Sequence, residues 1–168
     1  MQPADFQIRL EEESDASALC LLSAQAFGPG RFARTAYRVR EGVAPVASLA
    51  LTGWLDGRLV AGIRFTSIKI GVAGNALLLG PLVVDPAHKG KGYGKALVGE
   101  GLARAKGQGF GLVLLVGDMP YYGRLGFVAV PPGQITLPGP VDPARLLANE
   151  LSPGVLAGAV GQVLACAP

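Results

Sequence analysis

Two short stretches of this 168-residue chain concentrate residue types that can do chemistry. The first, His88-Lys89-Gly90-Lys91-Gly92-Tyr93-Gly94-Lys95, mixes lysines and glycines between an expected strand end and a helix start. Glycines there let successive backbone N–H groups converge, a helix N-terminus adds partial positive charge and the lysines add more, so the turn suits a phosphate or pyrophosphate. The plainer reading is a solvated basic turn that caps a helix. Two familiar phosphate loops are excluded. A P-loop would need Gly at 89 and Ser or Thr at 96, where Lys89 and Ala96 stand, and no register gives GxGxxG because Lys95 or Leu97 fills the last position.

The second stretch, Gly117-Asp118-Met119-Pro120-Tyr121-Tyr122-Gly123-Arg124-Leu125-Gly126-Phe127, puts two tyrosines just past an apolar run, Leu112–Val116. That is the region where open α/β sheets bind ligands. A tyrosine in such a cleft can give or take a proton, or it packs with a satisfied hydroxyl. Asp118 reads either as a base or as a turn former. His88 reads as a surface residue on the phosphate side, and Arg34, Arg38 and Arg40 either line an acceptor cleft or form a solvated helix face.

The elements that must position these groups follow from periodicity and punctuation. Phe6–Leu10 alternates as a first strand, Ser14 or Asp15 caps a helix through Leu19, Leu22, Ala26 and Phe27, and Gly28-Pro29-Gly30 ends it. Phe32–Arg40 reads as a second helix. Asp56-Gly57 joins two strands, Val46–Leu55 and Leu59–Ile70, as a hairpin. Ala76–Val84 is the next strand, with a bulge expected at Gly80-Pro81, where proline cannot donate to a ladder. Leu97, Val98, Gly101, Leu102 and Ala105 then form the apolar stripe of a helix that crosses to Leu112–Val116, a strand buried on both faces and parallel to Ala76–Val84. Four prolines in Pro131–Pro140 force an irregular segment. A short helix is expected near Ala144–Asn149, and Val160–Ala165 is expected as a last strand.

Composition bounds the rest. With 50% hydrophobic and 16% charged residues the chain folds, as a single domain over residues 1–168 with no need of staples. Cys20 and Cys166 lie near opposite ends and His88 is the single histidine, so no metal site is expected and free thiols in a reducing compartment fit. Met1-Gln2-Pro3-Ala4-Asp5 has no cationic leader character and Glu11, Glu12, Glu13 and Asp15 follow, which predicts a cytoplasmic protein. Leu151–Pro168 is uncharged, but Pro153, Gly154, Gly158, Gly161 and Gln162 break it into pieces too short for a membrane. A net charge of +3, a short basic cluster interleaved only by Tyr93 and 7% aromatics argue against nucleic acid. The oligomeric state is not legible, a homodimer being one arrangement open to it.

Together the two stretches resemble the GNAT superfamily of acyl-CoA-dependent N-acetyltransferases. The superfamily signature Gln/Arg-x-x-Gly-x-Gly/Ala falls on Lys89-Gly90-Lys91-Gly92-Tyr93-Gly94, with Lys where the family has Gln or Arg. Leu82-Val83-Val84-Asp85-Pro86 resembles its central bulged strand, and Tyr121-Tyr122-Gly123-Arg124-Leu125-Gly126-Phe127 its Phe-Tyr-x-x-Leu-Gly-Phe segment. Gly80-Pro81-Leu82-Val83-Val84, Gly117-Asp118-x-x-Tyr121-Tyr122 and Glu150-Leu151-x-Pro153-Gly154 are similar more narrowly to the bacterial YhbS-like branch, over nearly the whole chain. The resemblance implies an α/β (α+β) fold: a mixed, mostly antiparallel central sheet, flanked by helices, with a bulged, splayed parallel strand pair at the acetyl-CoA site. In that fold the last strand would insert beside the one ending at Val116. It further implies pantetheine paired along Leu82, Val83 and Val84, with pyrophosphate held by Lys89, Gly90, Lys91, Gly92, Tyr93, Gly94 and Lys95. Tyr122 would be the acid that protonates the coenzyme A thiolate after direct attack by a primary amine, Tyr121 would be a packing residue, and Asp118 a candidate base. A non-catalytic acyl-CoA-binding or sensor module is the alternative. Neither the acceptor, whether small amine, antibiotic or protein amine, nor the acyl-chain preference is legible.

Overall fold

The computed structural model describes residues 5–30 and 34–166. Along the chain run β1 (Phe6–Leu10), α1 (Ala16–Phe27), α2 (Thr35–Arg40), β2 (Leu51–Leu55), β3 (Arg58–Ile70), β4 (Ala73–Val84) and α3 (Tyr93–Gly107). After these come β5 (Leu112–Val116), α4 (Met119–Tyr122), β6 (Val128–Ala129), β7 (Ile135–Thr136), β8 (Leu146–Glu150), α5 (Val155–Gly158) and β9 (Gly161–Ala165). The strand order is β1-β2-β3-β4-β5-β8-β6, with β9 on β3 and β7. Apart from the parallel pairs β4–β5 and β7–β9, every ladder is antiparallel.

The hairpin expected at Asp56-Gly57 forms: both residues have positive φ (49° and 75°) and Leu55 pairs directly with Arg58, a two-residue turn that matches strand twist. Residues 47–49 are a 3-10 turn rather than the start of β2. The bulge also forms. Ile63 pairs with Leu82 and Phe65 with Leu79, so Arg64 alone faces Gly80 and Pro81 on the other strand. Phe32, where the second helix is expected to begin, lies outside the described residues, and α2 covers Thr35–Arg40.

Alternation in the central strands builds two cores. Leu77 and Leu79 of β4 and Val113 and Leu115 of β5 pack under α3 through Leu97, Val98 and Ala105. Ala76, Leu78, Leu112 and Leu114 face the opposite layer with Ile68, Ile70 and Val163. Such two-sided burial is why Leu112–Val116 reads as an unbroken apolar run. Helix α3 approaches β3 closely because Gly101 has no side chain: a Cβ there would stand 2.5 Å from the Phe65 ring. Among the described residues no helix is long and apolar enough to cross a membrane.

Two expectations for the C-terminal third are corrected. Residues 146–150 form β8 rather than part of a short helix, and β8, not Val160–Ala165, lies against β5, pairing Leu112–Val116 with Glu150–Leu146. The open edge of β5 needs a ladder partner, and Leu147 enters one core while Leu146 and Ala148 enter the other, a two-faced burial that a surface helix cannot supply. Strand β9 instead continues the edge of β3 at Ile68–Ile70.

Candidate functional site

The site is created where β4 and β5 part. Their parallel ladder covers Ala76–Leu78 against Leu112–Leu114 and stops ahead of the bulge. Beyond it, Leu82–Val84 stays hydrogen-bonded to Ile63–Ala61 of β3 on one edge. Its other edge has no strand partner among the described residues, so backbone N–H and C=O groups face a cleft. Helix α1 closes one side, with Leu19 and Leu22 on Val83. Gly62 lets α1 sit down on β3, since a Cβ there would collide with Leu19.

At one end of the cleft lies the glycine turn. Gly90 and Gly92 have φ of +78° and +85°, a region L side chains rarely adopt, and Gly92 is the N-cap of α3. The Ala96 N–H is bonded back to the Gly92 carbonyl, so the N–H groups of Tyr93, Gly94 and Lys95 are surplus to the helix, as first-turn amides are. Lys89, Lys91 and Lys95 are exposed around them. The Tyr93 side chain is turned away into the core, stacked on Phe6 at 4.4 Å, so its amide rather than its ring faces the turn. His88 is half-buried rather than a surface group, its Nδ1 3.7 Å from Asp85 Oδ2. A cavity of about 620 Å³ joins this turn to Leu82–Val84 and Tyr121.

A second cavity, about 480 Å³, shares Phe27 and Leu82 with the first and runs past the bulge to Asp118, Tyr122 and Arg145. Tyr122 ends α4, the short turn after β5. Its ring lies against Gly117, where a Cβ would stand 2.5 Å from Cε2, and meets Phe127 and Tyr121 edge to face at 5.8 and 4.8 Å. Burial, with smaller contributions from Tyr121 and Asp118, pushes its phenol up to about 12. Like any phenol it is protonated across the neutral range, and its hydroxyl has a proton to give. Asp118 is exposed and paired with Arg145, Oδ1 to Nε 3.4 Å. Tyr121, expected as a packing residue, is 44% exposed, and its hydroxyl stands 2.7 Å from where a Gly94 Cβ would be.

The arginines expected on one helix face separate. Arg38 is solvated, Arg34 lies over the Phe27 ring at 5.4 Å, and Arg40 turns inward to the bulge. Arg145 carries no mark in the sequence because it reaches the site from the far end of the irregular segment. Glu11 and Arg64, equally unmarked, form an ion pair whose partners help wall a third cavity of about 310 Å³ behind the bulge.

Comparison with known proteins accords with this geometry. Over 157 residues the chain is 26% identical to the uncharacterized N-acetyltransferase YhbS of Escherichia coli strain K12, covering 93% of each. The crystal structure of Escherichia coli YhbS in complex with CoA superposes with a TM-score of 0.83 at 24% identity, over 99% of this chain and 93% of that one. A GNAT family acetyltransferase from Brucella melitensis, solved with acetyl-CoA, gives a TM-score of 0.62 at 29% identity over 85% and 94%. The acetyltransferase (GNAT) family model matches residues 18–127. That span starts in α1 and ends at Phe127, taking in the bulge, the glycine turn and Tyr122, and the chain therefore belongs to the GNAT acetyltransferase family.

Proposed function

We propose that this chain, as one domain over residues 1–168, moves an acetyl group from acetyl-CoA to a primary amine by direct attack. The observation that carries the reading is the unpaired edge of Leu82–Val84, walled into one cavity with the surplus amides of the α3 N-terminus and adjoining the cavity that holds Tyr122. These residues suit coenzyme A: pantetheine amides can complete the β4 edge as a strand would, and the pyrophosphate can accept from amides of Gly90–Lys95 while Lys89, Lys91 and Lys95 balance its charge. That the YhbS and Brucella melitensis structures were solved with CoA and acetyl-CoA supports the same assignment.

Bound there, the thioester supplies an activated acyl group whose carbonyl carbon the amine attacks. The C–N bond forms, the C–S bond breaks and a thiolate departs. A thiolate leaving into a poorly hydrated cleft needs a donor, and the Tyr122 hydroxyl, protonated at neutral pH as any phenol is, supplies it. Asp118 stands in the same cavity to take the proton from the amine, directly or through water. Cys20 and Cys166 are unpaired, which suits a reducing cytoplasm. The test is thiol release from acetyl-CoA with a panel of primary amines. Release that depends on an amine supports the reading, whereas tight acetyl-CoA binding without release from any amine leaves a binding module.

A further inference from the structure

We propose that Arg40 is a specificity-determining residue that takes a carboxylate of the acceptor, so that the amine acetylated here belongs to a small amino acid-like molecule. The inference rests on the acetyl-transfer reading above. Arg40 ends α2, and its Nη1 stands 2.6 Å from where a Cβ on Gly80 would be, so the guanidinium lies directly on the bulge. From there it walls both the 480 Å³ cavity that holds Tyr122 and the 310 Å³ cavity behind the strand.

The buried and cavity-lining carboxylates around Arg40, apart from Glu41, are committed elsewhere. Glu11 accepts from Nε and Nη2 of Arg64. Asp118 is paired with Arg145, and Asp142 accepts the Ala144 N–H at 2.9 Å. Glu41 is exposed at the rim. Among the described residues Arg40 itself has no ion pair; its neighbour is the face of Tyr37, 4.5 Å from the guanidinium carbon. Burial, with repulsion from Arg64, lowers it to about 10, which still leaves it charged at neutral pH. A desolvated guanidinium without a carboxylate is costly in the empty cleft and recovers that cost when a planar anion arrives to accept two N–H bonds. A 480 Å³ cavity lies within the ordinary range of small-molecule sites. Because Tyr122 and Arg40 share it, an acceptor can present its amine to the thioester while its carboxylate meets Arg40. The glycine turn borders a different cavity, so the second substrate has its own room.

The test uses a product-like probe and needs no turnover. N-acetylglycine, which has a free carboxylate, and N-acetylglycinamide, which has none, are titrated into the whole protein carrying ¹⁵N-labelled arginine. We expect N-acetylglycine to shift the Arg40 Nε–Hε resonance and to bind about tenfold or more tightly than the amide. Arg40→Met should abolish the preference and Arg40→Lys should keep part of it. Equal affinity for the two probes, an undiminished preference in folded Arg40→Met, or a wild-type Arg40 resonance that N-acetylglycine does not move would each overturn the proposal. So would a preference for succinyl-CoA over acetyl-CoA with a neutral amine, which would put the carboxylate on the acyl donor. Calorimetry with coenzyme A on the same samples separates the two claims: absent coenzyme A binding removes the transferase reading, while failed probe discrimination beside normal coenzyme A binding removes only this one.

Discussion

Tyr122 keeps its proton further into the alkaline range than a free tyrosine because of its surroundings: the edge of Phe127, the close floor at Gly117 and the ring of Tyr121 shut out the water that would solvate a phenolate. An ordinary tyrosine ionises near 10, and this one is pushed up to about 12. The sign of the linkage follows. Between about pH 10 and 12 the unfolded chain loses a proton that the folded one keeps, so the stability this group contributes is whole below pH 10 and falls as pH rises through 12, by on the order of 3 kcal/mol. We expect alkaline unfolding of Tyr122→Phe, followed by circular dichroism, to lack that component; an unchanged alkaline transition would show that the phenol titrates normally. The sequence pattern Tyr121-Tyr122-Gly123-Arg124-Leu125-Gly126-Phe127 singles out Tyr122, and the structure puts the two rings on adjoining cavities, Tyr122 on the one with Asp118 and Tyr121 on the one with the glycine turn. The behaviour of Arg40 was not legible in the sequence, because a six-residue helix gives too little periodicity to tell an inward arginine from the solvated Arg38 two positions earlier.

At the scale of elements, the glycine turn and the bulge were legible because backbone geometry dictates their residue types. Gly92, at φ +85°, has open space where a Cβ would stand, so Gly92→Glu is a change of backbone preference and charge rather than of packing. Coenzyme A affinity in this variant should fall about a hundredfold or more by calorimetry, from a carboxylate set among surplus amides meant for an anion, while the protein stays folded. Wild-type affinity in folded Gly92→Glu would remove the turn from the binding site. Strand β8 was not legible. Leu146-Leu147-Ala148-Asn149-Glu150 suits helix or strand equally by composition, and only the exposed edge of β5, a feature of distant sequence, decides. Leu147 is fully buried there, and Leu147→Ala should cost about 2–5 kcal/mol and lower the melting temperature by roughly 5–15 °C. A shift under about 1 °C would contradict the placement of β8.

For the whole molecule, one sheet does two jobs. Its lower half, where β4 and β5 remain paired and both faces are covered, is a packed core. Its upper half is split by a single register change at Gly80 and Pro81, and the split leaves a backbone edge, a helix N-terminus and Tyr122 around adjoining cavities. The central claim is that an acetyl group crosses that split from a thioester to an amine with Tyr122 donating the proton. It is tested most directly by single-turnover transfer from [1-¹³C]acetyl-CoA to an accepted amine in wild type and Tyr122→Phe. Label should appear on the amine nitrogen, with a transfer rate about a hundredfold or more lower in the variant and coenzyme A affinity changed less than about threefold. Equal transfer rates in the two proteins would contradict the claim.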